Sequence, residues 1–209
     1  MAGWASNNKY SLIGALRAAA QLIAYELPLV LSAVAVAIQA QSLSLVDIVN
    51  AQAAFKIAGL PVPYVVPQFL GFVIFVTASV AELSRTPFDM PIAESELVTG
   101  PYTEYTGFRF LFFFLAEYAG MFALSAIAAT IYLGGYWVPG VPPQMATFIG
   151  PIALFVKTGI VAFIMMWIRS TFPRLREDQL QQLAWKYLIP LSLLNIFLVG
   201  TGVALVAAR

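Results

Sequence analysis

Five apolar stretches of this sequence are each long enough to cross a membrane as an α-helix. A hydrocarbon core about 30 Å thick needs about 20 helical residues, and the stretches cover residues 17–40, 63–82, 107–133, 150–168 and 185–207. Hydrophobic residues make up 61% of the chain and charged residues 10%, whereas soluble domains are about 45–50% apolar and about 25% charged. We therefore expect an all-α integral membrane protein, with residues 1–209 forming one membrane domain within a larger helical bundle.

The connectors between these stretches carry most of the basic residues on one side. If the N-terminus lies inside, eight lysines and arginines fall on inner segments, and two, Lys56 and Arg209, fall on outer segments. Loops that stay in the cytoplasm carry the excess of such residues. The sequence thus predicts a multi-pass protein of the cell (inner) membrane with a cytoplasmic N-terminus, an outer C-terminus, and cytoplasmic loops at 83–106 and 169–184. The polar start of the chain lacks the features of a signal peptide, so we expect the spanning segments to direct insertion.

Cysteine and histidine are both absent from the chain. These side chains hold iron–sulfur clusters, haem and most zinc or copper sites. We therefore predict no metal site here and expect any electron carriers to lie on partner chains. The net charge of +1 gives no sign of the basic surface that binds nucleic acid.

Three ionisable residues lie within the predicted helices, near the middle of the membrane. At about 1.5 Å per residue, Glu26, Glu117 and Lys157 lie roughly 13, 15 and 18 Å from the inner ends of their helices. Such a charge costs roughly 2.5 to 3.5 kcal/mol on insertion scales. We expect a buried polar axis that relays protons or positions a charged group, with Glu82 joining it at the inner end of the second helix. Alternatively, the three charges only pair within the bundle, and Glu82 is a hydrated interfacial carboxylate.

The segment from Glu82 to Glu104 holds five of the ten acidic residues of the chain. It is too acidic to enter lipid and too apolar for a simple solvated linker, so it should pack against another surface. Crowded carboxylates disfavour one another's ionised form, which favours proton uptake near neutral pH. The alternative is an acidic, solvated loop. The candidate residues of this segment are Glu82, Arg85, Asp89, Glu94, Glu96 and Glu104.

Several other residues have two possible roles. The phenylalanines that follow the acidic segment could line a path for a lipid-like substrate, or they could face lipid; they are Phe108, Phe110, Phe112, Phe113 and Phe114. Asn195 and the pair Gly200 and Gly202 are expected to serve close helix packing in the last helix.

Three long motifs resemble one known family. They are AELSRTPFDMPIAESELVTGPYTEYTGFRFLFFFLAEY at 81–118, GWASNNKYSLIGALRAAAQLIAYE at 3–26 and FPRLREDQLQQLAWKYLIPLSLLN at 172–195. Together they resemble the quinone-site membrane subunit of respiratory complex I, the H subunit of bacterial NADH-quinone oxidoreductase. The resemblance implies a subunit without a redox centre or catalytic residue of its own, with NADH, FMN and iron–sulfur clusters held by partner subunits and quinone as the substrate.

The same resemblance assigns roles to particular residues. It implies that Arg85, Asp89, Glu94, Glu96 and Glu104 help to form the mouth and wall of the quinone chamber, against the iron–sulfur-bearing peripheral arm. It also implies that the glutamates at 26, 82 and 117 belong to a path of intramembrane acids that couples quinone reduction to proton translocation.

The chain departs from the family pattern in three places. Ile92 stands where many members have an acid, and Pro101-Tyr102 stands where many have Tyr-His. The match also begins well inside the family's usual eight helices, so we expect a partial sequence. Three other functions stay open: a related membrane subunit of a membrane-bound hydrogenase or formate hydrogenlyase, a stand-alone ion transporter, and a purely structural scaffold.

Overall fold

A computed structural model describes residues 1–57, 60–92, 97–141 and 143–207. Helices dominate these ranges, in the order α1 (Ala2–Ala5), α2 (Lys9–Ala40), α3 (Leu45–Ala54), α4 (Phe69–Glu82), α5 (Phe108–Tyr132), α6 (Pro143–Thr171), α7 (Glu177–Gln182) and α8 (Ile189–Ala207). A π-helical turn, Leu183–Leu188, joins α7 to α8, and a 3-10 turn, Gly100–Tyr102, precedes α5. Two short antiparallel strands, β1 (Lys56–Ile57) and β2 (Leu60–Pro61), follow α3.

The described helices fit the predicted fold class. Four spans are long and apolar enough to cross a membrane, namely Lys9–Ala40, Phe108–Tyr132, Thr147–Thr171 and Glu177–Leu205. Helix α4 is a fifth apolar helix, but it has only 14 residues. The prediction of an all-α membrane protein with about five spanning helices is therefore confirmed, with α4 as a short member of the set.

Helix α2 begins eight residues before the predicted start at residue 17, at Lys9. Asn8 caps it, because the side-chain oxygen of Asn8 accepts a hydrogen bond from the backbone N–H of Tyr10 at 3.0 Å, as N-cap residues commonly do. The prediction was late because it took the first long apolar run as the start. The amphipathic turns of α2 that precede this run pack against the 3-10 turn before α5.

Helix α4 begins at Phe69, later than the predicted start at residue 63. Three prolines, at positions 61, 63 and 67, precede it. A proline lacks the backbone N–H and disfavours helical geometry at the residue before it, so this segment cannot continue as a regular helix. The apolar character of the segment gave no sign of this boundary, whereas the prolines did.

The later helices extend beyond their predicted bounds. Helix α6 begins at Pro143 instead of residue 150, and proline is favoured in the first turn of a helix. The segment 169–184, predicted as a loop, is helical from Glu177 onwards. Glu177 and Asp178 occupy the first turn of α7, where negative charge complements the helix dipole.

Small residues allow α2 and α4 to pack closely. Fully buried residues include Ala35 on α2 and Ala78, Ser79 and Ala81 on α4. Interfaces between membrane helices are rich in such small residues, which let the backbones approach closely. Helix α2 also packs along α8, while α5 packs mainly against α6.

The expectation for the last helix holds only in part. Asn195 is buried, and its amide nitrogen lies 2.9 Å from where a Cβ on Gly71 would stand, so α8 and α4 do approach closely there. A Cβ at Gly200 or Gly202, however, would meet no described atom within 4 Å. The prediction that these two glycines serve close packing is therefore wrong within the described part of the chain.

Candidate functional site around Arg85 and Glu117

Arg85 lies just after α4 and is buried, with 8% of its surface exposed. Ser84, with φ of 50°, turns the chain sharply out of the helix. The guanidinium then reaches α5, where its Nε lies 2.7 Å from Oε1 of Glu117. A buried charge is tolerated more readily when an opposite charge lies beside it, although Nε and Nη2 of Arg85 have no hydrogen-bond partner within the described residues. Arg85 and Glu117, both predicted as site residues, thus compensate each other directly.

Tyr118 and Arg169 extend this ion pair. The aromatic ring of Tyr118 lies 4.3 Å from Cζ of Arg85, within the range of a cation–π contact. Arg169, in the last turn of α6, donates from Nη1 to the Tyr118 hydroxyl at 3.3 Å. The side chains of Arg85, Glu117, Tyr118 and Arg169 therefore form one cluster that joins the end of α4 to α5 and α6.

The segment that carries Arg85 is held from several sides. Gln21 of α2 donates from Nε2 to the backbone carbonyls of Ala81, at 2.6 Å, and Phe88, at 2.8 Å. The Thr86 hydroxyl donates to the carbonyl of Arg169 at 2.9 Å. Because irregular backbone inside a protein must have its polar groups paired, these bonds fix the path of residues 82–88.

A cavity of about 210 Å³ opens beside this cluster. Its polar wall includes Arg85, Arg169, Asp89, Glu117 and Tyr102, and its apolar wall includes Ile92 and the phenylalanines Phe110, Phe113 and Phe114. Three of the five phenylalanines singled out in the sequence therefore line the cavity. Phe108 and Phe112 are instead largely exposed on α5.

Tyr102 adds a hydrogen-bond donor to the cavity. It lies in the 3-10 turn, with its ring centroid 5.0 Å from that of Phe113. Burial raises the pKa of the Tyr102 phenol, the negative charge of Glu117 raises it further, and the positive charge of Arg85 partly opposes both. The phenol therefore keeps its proton at neutral pH.

The remaining predicted residues occupy three other places. Glu82, the last residue of α4, is close enough to Glu26 of α2 for the two charges to interact, and Glu26 is exposed on the described surface. Glu104 is exposed and accepts a hydrogen bond from the Asn8 side chain at 2.8 Å. Glu94 and Glu96 lie outside the described residues.

Lys157 does not join the acids. Its Nζ donates to the carbonyls of Gly135, at 3.0 Å, and Trp137, at 2.6 Å, in the turn after α5. Glu117 lies in the N-terminal half of α5, and the rise from Glu117 to Tyr132 alone is about 22 Å. Within the described residues Lys157 therefore lies apart from Glu26 and Glu117, because its long side chain reaches towards a helix end, and its membership of a proton relay stays a prediction.

Sequence reasoning missed Gln21, Tyr118 and Arg169 as members of the site. Gln21 is a lone amide in an otherwise apolar run of α2, which is a usable signal since buried amides are normally hydrogen-bonded. Tyr118 follows Glu117 directly, but only the packing of α4 against α5 brings its ring onto Arg85.

Comparisons with known proteins show the family of the chain. A family model described as NADH dehydrogenase matches residues 1–200. The H subunit of NADH-quinone oxidoreductase from Brevibacillus brevis is 50% identical over 203 residues, which cover 97% of this chain and 58% of the relative. The corresponding protein of Geobacillus kaustophilus is 50% identical, over 94% of this chain and 56% of the relative.

A third relative, the second H subunit of NADH-quinone oxidoreductase from Syntrophobacter fumaroxidans, is 49% identical over 97% of this chain and 57% of its own length. The chain thus spans a little more than half the length of the curated relatives that it matches. The resemblance found in the three sequence motifs is confirmed, and since the match to the family covers nearly the whole chain, this protein belongs to the NADH dehydrogenase family.

Proposed function

We propose that this chain is the part of a proton-translocating NADH-quinone oxidoreductase membrane subunit that forms one wall of the quinone chamber and couples quinone reduction to proton movement. One observation carries the proposal: an ion pair of the buried Arg85 with the partly buried Glu117, with Nε and Oε1 2.7 Å apart, borders a cavity with an aromatic wall. The relatives' names supply the reaction class.

The two walls of the cavity suit a quinone. Apolar and aromatic walls with a few polar groups are the usual form of a small-molecule site. Phe110, Phe113 and Phe114 would contact a quinone ring, and the Tyr102 hydroxyl would donate to one of its oxygens. The volume of about 210 Å³ is below the roughly 300 to 1,000 Å³ of complete ligand pockets, which supports a chamber completed by partner subunits.

The coupling is proposed to be electrostatic. Reduction of a quinone to a quinol takes up two electrons and two protons, and the intermediate charge next to Arg85 would change the balance of its pair with Glu117. Interacting ionisable groups change their proton occupancy together. The acids Glu117, Glu82 and Glu26, with Asp89 at the cavity, are the proposed members of this path.

Glu104 and the acids at 94 and 96 are proposed to border the chamber mouth, as the resemblance implies. Partner subunits would hold NADH, FMN and the iron–sulfur clusters, and the chain would lie in the cell membrane with its N-terminus in the cytoplasm. We leave Lys157 out of the path, because its amino group binds the turn after α5.

The proposal is tested by E117Q and R85A in the full-length subunit of an assembled complex in membrane vesicles. Each change leaves one partner of a buried pair uncompensated, so we expect NADH-driven quinone reduction, and the proton uptake linked to it, to fall about tenfold or more, a change of about 1.4 kcal/mol in the barrier. Unchanged turnover and proton yield in both variants would contradict the proposal.

A matched control makes the same chemical change elsewhere. Glu177 pairs with Arg17 at 3.2 Å, and 46% of the Glu177 side chain is exposed. Exposed ion pairs contribute little to stability, so E177Q should keep the activity of the unmodified complex.

A further inference from the structure

Gln21 holds both ends of the segment that carries Arg85. Its side chain is almost fully buried, with 1% exposed. The same amide nitrogen donates to the carbonyl of Ala81, in the last turn of α4, and to the carbonyl of Phe88, beyond the turn. One side chain of α2 therefore closes residues 82–87 into a loop.

The side-chain amide of Gln21 stabilises the described structure through the two hydrogen bonds that its nitrogen donates. The amide oxygen of Gln21 is buried and accepts no hydrogen bond within the described ranges. The nitrogen, by contrast, uses both of its N–H groups, since two carbonyls accept from it. A side chain of the same length without the N–H groups would fill the same space and lose only these bonds.

Gln21 itself stays behind the loop, away from the cavity. The cavity is lined by Ser84, Arg85 and Thr86 of the held segment and by Asp89 just beyond it, whereas Gln21 is not among its lining residues. Any effect of Gln21 on a molecule in the cavity must therefore pass through the backbone of residues 82–88 and the position of the Arg85 guanidinium.

We propose that Gln21 is a positioning residue for the Arg85–Glu117 pair, and that its two hydrogen bonds fix the guanidinium against Glu117 and the quinone cavity. This inference rests on the proposed function. A displacement of about 1 Å at a reacting group can cost about 10²-fold in rate, so a side chain that only sets a backbone path can still control turnover.

The chain offers a matched control in Gln52 of α3. Gln52 is also fully buried, and it likewise bridges two segments: it donates to the carbonyl of Thr130 at 3.0 Å and accepts from the N–H of Tyr64 at 3.2 Å. It lies at the opposite end of α5 from Glu117. Q52M therefore removes a comparable buried amide at a distance from the cavity.

The experiment is a double-mutant cycle in the full-length subunit of the assembled complex, measured as kcat/KM for NADH-driven reduction of a short-chain quinone. The variants are Q21M, E117Q and Q21M/E117Q, with Q52M and Q52M/E117Q as the control cycle. We expect Q21M to lower kcat/KM about tenfold and Q52M to lower it less than about twofold. Residues that act as one unit have non-additive effects, so Q21M/E117Q should be no worse than E117Q alone.

The inference is overturned if the fold-decrease of kcat/KM in Q21M/E117Q equals the product of the fold-decreases in Q21M and E117Q. Such independent effects are the result that we expect for the control pair, Q52M/E117Q. An unchanged kcat/KM in Q21M would also overturn it. Where Q21M does not assemble, Q21N takes its place in the cycle and the same two results decide. E117Q and R85A separate the two proposals. Normal turnover and proton uptake in both variants reject the proposed function, whereas an impaired E117Q whose effect is independent of Q21M rejects only the role of Gln21.

Discussion

Arg85 is a buried cation with a different kind of contact on each side of its guanidinium. Its Nε lies 2.7 Å from Oε1 of Glu117, and the ring of Tyr118 lies 4.3 Å from Cζ. A planar guanidinium can stack on an aromatic ring while it carries the charge that attracts a carboxylate, whereas the ammonium group of a lysine is a compact, strongly hydrated point charge. The residue type at position 85 is therefore set by the geometry of two neighbours, in addition to charge.

The sequence identified Arg85 and Glu117 as candidates but could not pair them. Arg85 was singled out because it lies in an acidic segment, and Glu117 because it lies within an apolar helix. The contact between them depends on how α4 and α5 pack, which no local pattern encodes. The sequence also placed Lys157 with the acids, because depth along a helix says nothing about which end a long side chain reaches.

At Lys157 we expect a loss of stability without a loss of coupling. K157M removes two hydrogen bonds from a charged donor to the turn after α5, and such bonds contribute on the order of 2 kcal/mol each. The temperature of half-inactivation of the solubilised complex should fall, while the number of protons taken up per quinone reduced stays the same.

K186M is the control for this measurement, because it removes a lysine that is exposed on the described surface. A lower proton yield in K157M, with thermal stability equal to that of K186M, would show instead that Lys157 belongs to the proton path.

The elements around the site are held by the first turns of α2. The Ser11 hydroxyl donates to the carbonyl of Gly100 at 3.0 Å, and Gly14 lies against the same 3-10 turn. A Cβ on Gly14 would stand 2.8 Å from the Pro91 carbonyl oxygen and 3.0 Å from Cα of Gly100. These neighbours are backbone atoms, which cannot move without moving the turn that carries Tyr102.

G14A should therefore displace the 3-10 turn by a few tenths of an ångström and lower quinone reduction by about threefold to tenfold. Alanine would otherwise favour a helix by about 1 kcal/mol relative to glycine. Gly159 of α6 offers the comparison, because a Cβ there would meet no described atom within 4 Å. G159A should keep full activity, and equal activity of G14A and G159A would contradict this account.

The sequence predicted best those features that depend on hydrophobicity alone, namely which stretches form membrane helices. Each predicted apolar stretch corresponds to a described helix, because about 20 apolar residues have few alternatives in a bilayer. The ends were predicted less well. Asn8, the prolines before α4 and the acidic start of α7 set those ends, and each acts through local backbone chemistry that an apolar run does not report.

Across the whole molecule, the ionisable residues separate into distinct places. Arg85, Glu117, Asp89 and Arg169 border one cavity, Glu26 and Glu82 interact near the end of α4, and Lys157 binds the far end of α5. Glu26 is exposed on the surface of the described residues. The chain spans 58% or less of the length of the three relatives compared with it. The resemblance indicated the family and the acidic segment, whereas the cavity and its wall required the packed helices.

The shortness of α4 has a consequence for the depth of the Arg85 segment. Fourteen residues rise only about 21 Å, which leaves roughly 9 Å of a hydrocarbon core about 30 Å thick to be crossed by non-helical chain. Such chain is stable at that depth only where protein or an internal space shields it from lipid tails. Under the proposed function, the head group of a quinone would meet charged and hydroxyl groups at this depth while its apolar tail stays among the acyl chains, so that the head need not pass through open water.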